Sequence, residues 1–336
     1  MITTIHSNPF MREAIVQADL SVQIVDSAVP IPVADQVLIK VVVSGCNPKD
    51  WKGPAKMRIK PANTGDDIAG VVHAVGKDVY EFKSGDCVAA FHEMNTPGGS
   101  YAEYAIAPQY TTFHLPSKTS FEEAATIPLA AMTAALGLYR RLNLPEPWSL
   151  VKPGIQPLLV YGAATAVGAF TIQLATLSGF HPIIGVASVS RTFVESLIDN
   201  SKGDSIVDYR SGHEGVVDEI KRSLKSAGCE DVPIRYAIDA ISEHGSPEII
   251  NAVLDPEKGR ATYLRALPYE KYFTKDGFSY PKQYTMVGGV HSDEKEFAYV
   301  WSRYFSRLLA EDLRDGKAHG ASTSLRLAIL RSPLSG

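Results

Sequence analysis

Over roughly the first 110 residues, short apolar runs alternate with Gly, Pro and Asp: EAIVQA, DQVLIKVVV, IAGVVHAVG, CVAAFH and YAEYAIA. Val, Ile and Tyr in runs of that length, with such breaks, predict a compact and mostly antiparallel β domain. From Phe121 the texture changes to FEEAATIPLAAMTAALGLYRRL, where Ala and Leu dominate, and a long linking helix is expected. Strands and helices then alternate: PLLVYG, AFTIQLATLSG, HPIIGVAS, TFVESLIDN, DSIVDY, EGVVDEIKRSLKSAG and IRYAIDAI. That order implies a parallel sheet covered by helices on both faces, a doubly wound α/β architecture. The segment HSDEKEFAYVWSRYFSRLLAEDLRDGK predicts an amphipathic helix that brings the chain back to the first domain.

A chain of 336 residues is about twice the size of one domain. The expected division is 1–128 with 285–336 returning, and 129–284. Residues 153–190 contain no Asp, Glu, Lys or Arg, which invites a membrane-spanning reading. Pro157, Gly162, Gly168, Gly179 and Pro182 cut the run into pieces too short to span, so a buried strand, helix and strand is expected. A formal charge of −4 supplies no electrostatic footprint for a nucleic acid. Cys46, Cys87 and Cys229 are too few and too scattered for a disulfide framework or a structural zinc lobe, and with no signal peptide at the N-terminus a cytoplasmic setting is expected.

The run LLVYGAATAVG over 158–168 combines a buried strand, a tight turn and a helix start. A dinucleotide pyrophosphate needs that geometry, because exposed backbone N–H groups and the helix dipole converge on it. Gly162, Ala163, Ala164, Thr165, Ala166, Val167 and Gly168 are the candidates, and a bland α/β turn is the alternative. About 20 residues on, where an NAD site usually carries an acid, the sequence has Ser188, Ser190 and Arg191. Two hydroxyls and a guanidinium suit the 2′-phosphate of NADPH. Tyr209, at the end of the next strand, is a candidate to pack on the adenine ribose or to fill the domain edge.

The chain resembles the medium-chain dehydrogenase/reductase superfamily, on the glycine-spaced pattern from Gly65 through Gly70, Gly76, Val79, Phe82 and Gly85 to Val88, and on Gly98 to Tyr104. The resemblance covers residues from about 12 to 317. It implies a GroES-like β-rich catalytic domain and a Rossmann cofactor domain. Zinc-dependent members would have Gly-His-Glu where this chain has Gly65, Asp66 and Asp67, and a Cys-His pair where it has Asn47 and Pro48. No catalytic zinc set can be assembled, and Cys46 is expected to be a small buried residue. The segment from Gly45 to Trp51 is similar to the Gly-x-Asn-Pro-x-Asp signature of quinone and enoyl reductases. The fungal enoyl reductases that serve polyketide synthases in trans are the most similar branch.

The resemblance implies hydride transfer from NADPH to a conjugated C=C of an enone, quinone or enoyl thioester, free or carrier-bound. Asn47 and Lys49 are candidates to donate to the substrate carbonyl or the nicotinamide ribose, with Asp50 orienting them; a plain Asn-Pro turn with solvated charges is the alternative. Thr133 is placed at the nicotinamide by the family's linker helix, or bonds back to its own helix. Leu267 and Pro268 are candidates to flank the nicotinamide ring. Tyr284, Met286, Tyr299 and Trp301 either line a cleft or pack the core, and His73 and His92 are expected on strand surfaces. A small-molecule or carrier-bound substrate, a polyketide synthase and a second copy are the partners considered, with neither nucleic acid nor membrane. After Lys317 the tail Ala318–Gly336 departs from the family's closing helix and strand. That departure keeps open a second reading, an inert NADPH-binding or partner-binding protein on the same scaffold.

Overall fold

The computed structural model describes residues 9–57, 60–264 and 282–311. They divide into two compact units, drawn from Met1–Leu129 with Gly288–Gly336 and from Ala130–Val287. In the first unit β1 (Phe10–Val16) and β2 (Val22–Ala28) form an antiparallel pair. They are followed by β3 (Gln36–Gly45), α1 (Pro48–Met57), β4 (Asp67–Val75), β5 (Cys87–Phe91), β6 (Tyr104–Pro108) and β7 (Thr112–His114). The strands β3 to β7 make one five-stranded sheet in the order β6-β3-β4-β5-β7. Every neighbouring pair in it is antiparallel. Val37, Ile39, Ile68, Val72, Val88, Ala105 and Ala107 fill its core. Alternation along each strand puts these on one face, as burial of a half-solvated sheet requires.

Instead of one long linking helix there are three consecutive pieces. Helix α2 (Phe121–Ala124) is closed by a capping box in which Ser120 and Glu123 satisfy each other's backbone N–H. Pro128, which lacks an N–H and disfavours helical backbone at the residue before it, forces a restart as α3 (Pro128–Ala135). A wider turn over Leu136–Arg141 follows, closed by the Leu142 N–H on the Gly137 carbonyl at 3.0 Å.

The second unit runs β8 (Leu158–Tyr161), α4 (Ala166–Ser178), β9 (Ile183–Ala187), α5 (Arg191–Glu195), β10 (Ser205–Asp208), α6 (Gly212–Ser226), β11 (Tyr236–Asp239), α7 (Ser246–Val253), β12 (Arg260–Leu264) and β13 (Lys282–Thr285). Its six strands are all parallel in the order β10-β9-β8-β11-β12-β13. The order reverses between β8 and β11, which makes a topological switch point at the carboxyl end of β8, where open α/β sheets take their ligands. The uncharged run is β8, α4 and β9, with every residue of both strands buried. No helix among the described residues is long and apolar enough to cross a membrane. Helix α8 (Lys295–Glu311) belongs to the first unit, where Phe305 meets Phe113 edge-on and Arg303 pairs with Glu81.

Candidate active site

The turn after β8 is built by its glycines. Gly162 sits at φ +80°, a conformation open to glycine, with its N–H on the Val186 carbonyl at 3.1 Å. A Cβ on Gly168 would run into the Gly162 carbonyl oxygen and come within 2.9 Å of Ala163 Cα. Thr165 caps α4, its hydroxyl accepting the Gly168 N–H at 3.0 Å and donating to the Gly162 carbonyl at 2.8 Å. The N–H groups of Ala166 and Val167 in the first helical turn therefore point out of the helix start, beside Ala163 and Ala164. This is a cradle a phosphate fits.

At the carboxyl end of β9, Ser188 is 7% exposed and its hydroxyl is buried with no hydrogen-bond partner among the described residues. Ser190 stands just before α5, and Arg191 opens that helix. The Arg191 guanidinium is about half-exposed; its Nε donates to Glu195 at 3.0 Å and its Nη1 to the Ile206 carbonyl at 3.3 Å. Tyr209, at the end of β10, is exposed. Beside it Arg210 holds Asp208, lowering that carboxylate to about 2. An orphaned serine hydroxyl, an exposed guanidinium and an exposed aromatic ring at adjacent strand ends fit an adenosine 2′-phosphate. Leu267 and Pro268 lie outside the described residues.

In the first unit the Gly45–Asp50 segment turns from β3 into α1. Pro48 takes the first helical position, and the Asp50 carboxylate reaches back to accept the Asn47 N–H at 2.7 Å, capping the helix start. A Cβ on Gly45 would press on Ala125 and come within 2.8 Å of Asp67 Cβ, so only glycine lets β3 lie this close to its neighbours. The Lys49 ammonium meets the Thr64 carbonyl at 2.6 Å, Asp50 Oδ1 at 2.6 Å and Asp66 Oδ2 at 2.5 Å. Burial alone would lower its pKa, but Asp66 and Asp50 outweigh that and raise it. Of these three contacts the one to the Thr64 carbonyl is a hydrogen bond, and those to Asp50 and Asp66 are close ion pairs. Tyr101 donates its phenol to Asp50 at 2.6 Å, and burial together with Asp50 and Cys46 pushes its pKa up.

The Asn47 side chain is half-buried, and its Nδ2 donates to Asp67 Oδ2 at 2.7 Å. The other Asp67 oxygen accepts the Leu129 N–H at 2.7 Å. Asp67 is 3% exposed, and burial raises its pKa to about 7 against the lowering effect of these two bonds. Thr133 is buried on α3, four residues beyond Leu129. The sequence singled out Asn47, Lys49 and Asp50 but passed over Asp66, Asp67, Thr64 and Tyr101 as working parts. An acidic pair opening a β-strand directly after a packed glycine is the signal available for them.

Three expectations need correction or resolution. Cys46 is exposed, not buried, because the β3–α1 turn carries it outward. His92 is 2% exposed, not on a strand surface; its ring nitrogens lie 2.6 Å from the Ile106 carbonyl and 3.1 Å from that of Thr96. His73 is half-buried and edge-on to Tyr104. Of the candidate cleft residues, Trp301 is 1% exposed in the α8 core, Tyr284 is half-buried, and Met286 and Tyr299 are exposed. Among the described residues no three His, Cys, Asp or Glu side chains are grouped to hold a metal ion.

Residues 33–117 match the alcohol dehydrogenase GroES-like domain. The trans-enoyl reductase fsr4 of Gibberella fujikuroi is 46% identical over 313 residues, which cover 92% of this chain and 89% of that protein. The chain belongs to the medium-chain dehydrogenase/reductase superfamily, in its quinone and enoyl reductase branch. It is therefore an oxidoreductase. The trans-enoyl reductase TOXD of Cochliobolus carbonum is 29% identical, with 85% of this chain and 93% of that one covered. A mycobacterial structure complexed with NADPH shares the fold, with a TM-score of 0.68 at 20% identity, covering 92% of this chain and 90% of its own.

Proposed function

We propose that the protein is an NADPH-dependent, metal-independent reductase of conjugated carbon–carbon double bonds, acting in trans on an enoyl chain presented by a polyketide synthase. The observation that carries this reading is the 46% identity to a trans-enoyl reductase over nearly the whole length of both chains. Free cysteines at all three positions and a family of stand-alone reductases support a cytoplasmic setting. The alternative of an inert binding protein rests on the tail beyond Lys317, which lies outside the described residues.

When bound, NADPH supplies a hydride to the electron-poor β-carbon of the alkene, and a proton completes the α-carbon. The chain's own groups bind and orient. The turn Gly162–Gly168 takes the pyrophosphate on backbone N–H groups, and Ser188, Ser190, Arg191 and Tyr209 take the 2′-phosphate and adenosine. Asn47 and Thr133 act on the nicotinamide nucleotide or the substrate carbonyl. Lys49 and Asp50 position Asn47 through the helix cap and the buried ion cluster, since the Lys49 ammonium is held within the unit by Asp50, Asp66 and the Thr64 carbonyl. Stabilisation of the developing enolate then depends on positioned N–H and O–H donors.

The reading is tested by following NADPH oxidation with an enoyl thioester, an enone, a quinone and a simple ketone. Turnover of the conjugated acceptors and none of the ketone is expected; ketone reduction alone overturns it. Arg191→Ala is expected to weaken NADPH binding by about 10- to 100-fold, the worth of one charge-assisted phosphate contact, and to leave NADH binding unchanged. Nicotinamide fluorescence titration with both nucleotides measures this. Equal losses for the two nucleotides would remove Arg191 from the 2′-phosphate site.

A further inference from the structure

We propose that Asp239 is a positioning residue for the dinucleotide turn, holding the loop after β11 as a prop behind Gly162. All residues concerned belong to the second unit, and the proposal rests on the reading above that this turn takes the pyrophosphate. Strands β8 and β11 are neighbours at the switch point, with Tyr161 paired to Asp239, and the Ala240 N–H donates to the Tyr161 carbonyl at 2.9 Å. The segments that leave the two strands therefore start side by side. A Cβ on Gly162 would come within 2.7 Å of Ile241 Cγ1 and 3.4 Å of Ala240 Cβ, so the loop packs directly on the turn. That contact limits where the Gly162 carbonyl, which accepts the Thr165 hydroxyl, is able to lie.

Asp239 is what keeps Ile241 in place. Its Oδ1 accepts the Ile241 N–H at 2.9 Å and the Ser242 N–H at 2.7 Å, and its Oδ2 accepts the Ser246 hydroxyl at 2.6 Å. Ser242 lies at φ +56° and His244 at +58°, a region that non-glycine residues seldom occupy, so the loop holds this shape only under restraint. Asp239, Ser242 and Ser246 are fully buried. Burial raises the Asp239 pKa to about 6 and Glu248 acts in the same direction, while the groups that lower it are the neutral donors of Ser246, Ser242 and Ile241. A buried carboxylate compensated in this way adds little to the stability of a fold. Its contribution is the geometry of the loop, through the acceptor it places between Ile241 and Ser242.

The test is nicotinamide fluorescence titration at pH 8, with NADPH and with NADH, on Asp239→Ala, Asp239→Asn, Ile241→Ala and the double variant Asp239→Ala/Ile241→Ala, with melting temperatures alongside. Asp239→Ala is expected to weaken both nucleotides by the same factor, about tenfold, because the pyrophosphate is common to them. Asp239→Asn keeps an acceptor toward Ile241 and Ser242. It is expected to bind both nucleotides as the wild type does and to melt no lower, since a buried charge has been removed. The double variant is expected to match Asp239→Ala, because Asp239 acts through Ile241. Wild-type affinity in a folded Asp239→Ala, additive losses in the double variant, a loss confined to NADPH, or a failure of Asp239→Asn to restore binding overturns the proposal. If Asp239→Ala does not fold, Ile241→Ala decides alone: a loss shared by both nucleotides is expected, and unaltered affinity overturns the proposal. Absence of turnover on conjugated acceptors, with the binding results as expected, would count against the reductase reading and leave this inference standing. A wild-type protein that binds neither nucleotide overturns both.

Discussion

Lys49→Met is expected to cost about 3–5 kcal/mol of unfolding free energy at pH 8, the range for removing one partner of a buried ion pair. The magnitude follows from what is left behind. Asp66, with a side chain 2% exposed, and Asp50, at 8%, both lose the ammonium that lies within 2.6 Å of each. Carboxylates left unpaired in a buried site have raised pKa values, so they protonate as the pH falls. The loss should therefore shrink on going from pH 8 to pH 5. Combining Lys49→Met with Asp66→Asn should recover a large part of it, because the two residues share one interaction. Denaturant unfolding of the three proteins at both pH values gives the result. A loss below about 1 kcal/mol would mean that the cluster behaves as an ordinary screened surface pair. Turnover of the folded double variant also separates roles: retained activity assigns Lys49 to positioning, and an inactive but folded protein assigns it a direct contact with cofactor or substrate.

The second large effect is expected at Gly168→Ala. The added methyl group would meet backbone, the Gly162 carbonyl and Ala163 Cα, rather than a side chain able to turn aside. Helix α4 must then move off the turn that Thr165 ties to it, at a cost of about 1–3 kcal/mol in stability for an overpacked site. NADPH affinity should fall by about 100-fold, because the N–H groups at the helix start no longer converge on one point; that factor corresponds to about 2.7 kcal/mol. Gly154→Ala is the control, since nothing lies within 4 Å of its added Cβ. It should bind NADPH as the wild type does. An unaltered affinity in Gly168→Ala would move the pyrophosphate away from this turn.

These effects lie in places that differ in how openly the sequence displayed them. The parallel sheet was legible because each strand is a short buried run between helical segments, and the uncharged stretch around Leu159 and Ile184 can only be core. The glycine turn was legible because local geometry alone demands Gly162 and Gly168. The linking helix was misread at Pro128, where Ala and Leu on both sides made a continuous pattern and one missing N–H decided otherwise. Asp67 was passed over for a different reason. Its partners Asn47 and Leu129 are 20 and 62 residues away, and a hydrogen bond between distant segments leaves no periodicity in the chain. Lys49 was visible as a chemical group, but the acceptors that engage it come from Thr64 and Asp66, across the turn into β4. Cys46 and His92 were misplaced because a single apolar or polar residue in a turn carries no sign of which way the turn points it.

The reductase assignment meets its most direct test in a single labelled turnover. The protein is incubated with NADPH carrying deuterium at C4 on either face, in separate reactions, and an α,β-unsaturated acyl thioester in ordinary water, and the product is examined by NMR. Deuterium at the β-carbon from one of the two labelled faces, with a solvent-derived proton at the α-carbon, is the expected result. Deuterium on the carbonyl carbon, or oxidation of NADPH with no label in the product, would contradict it.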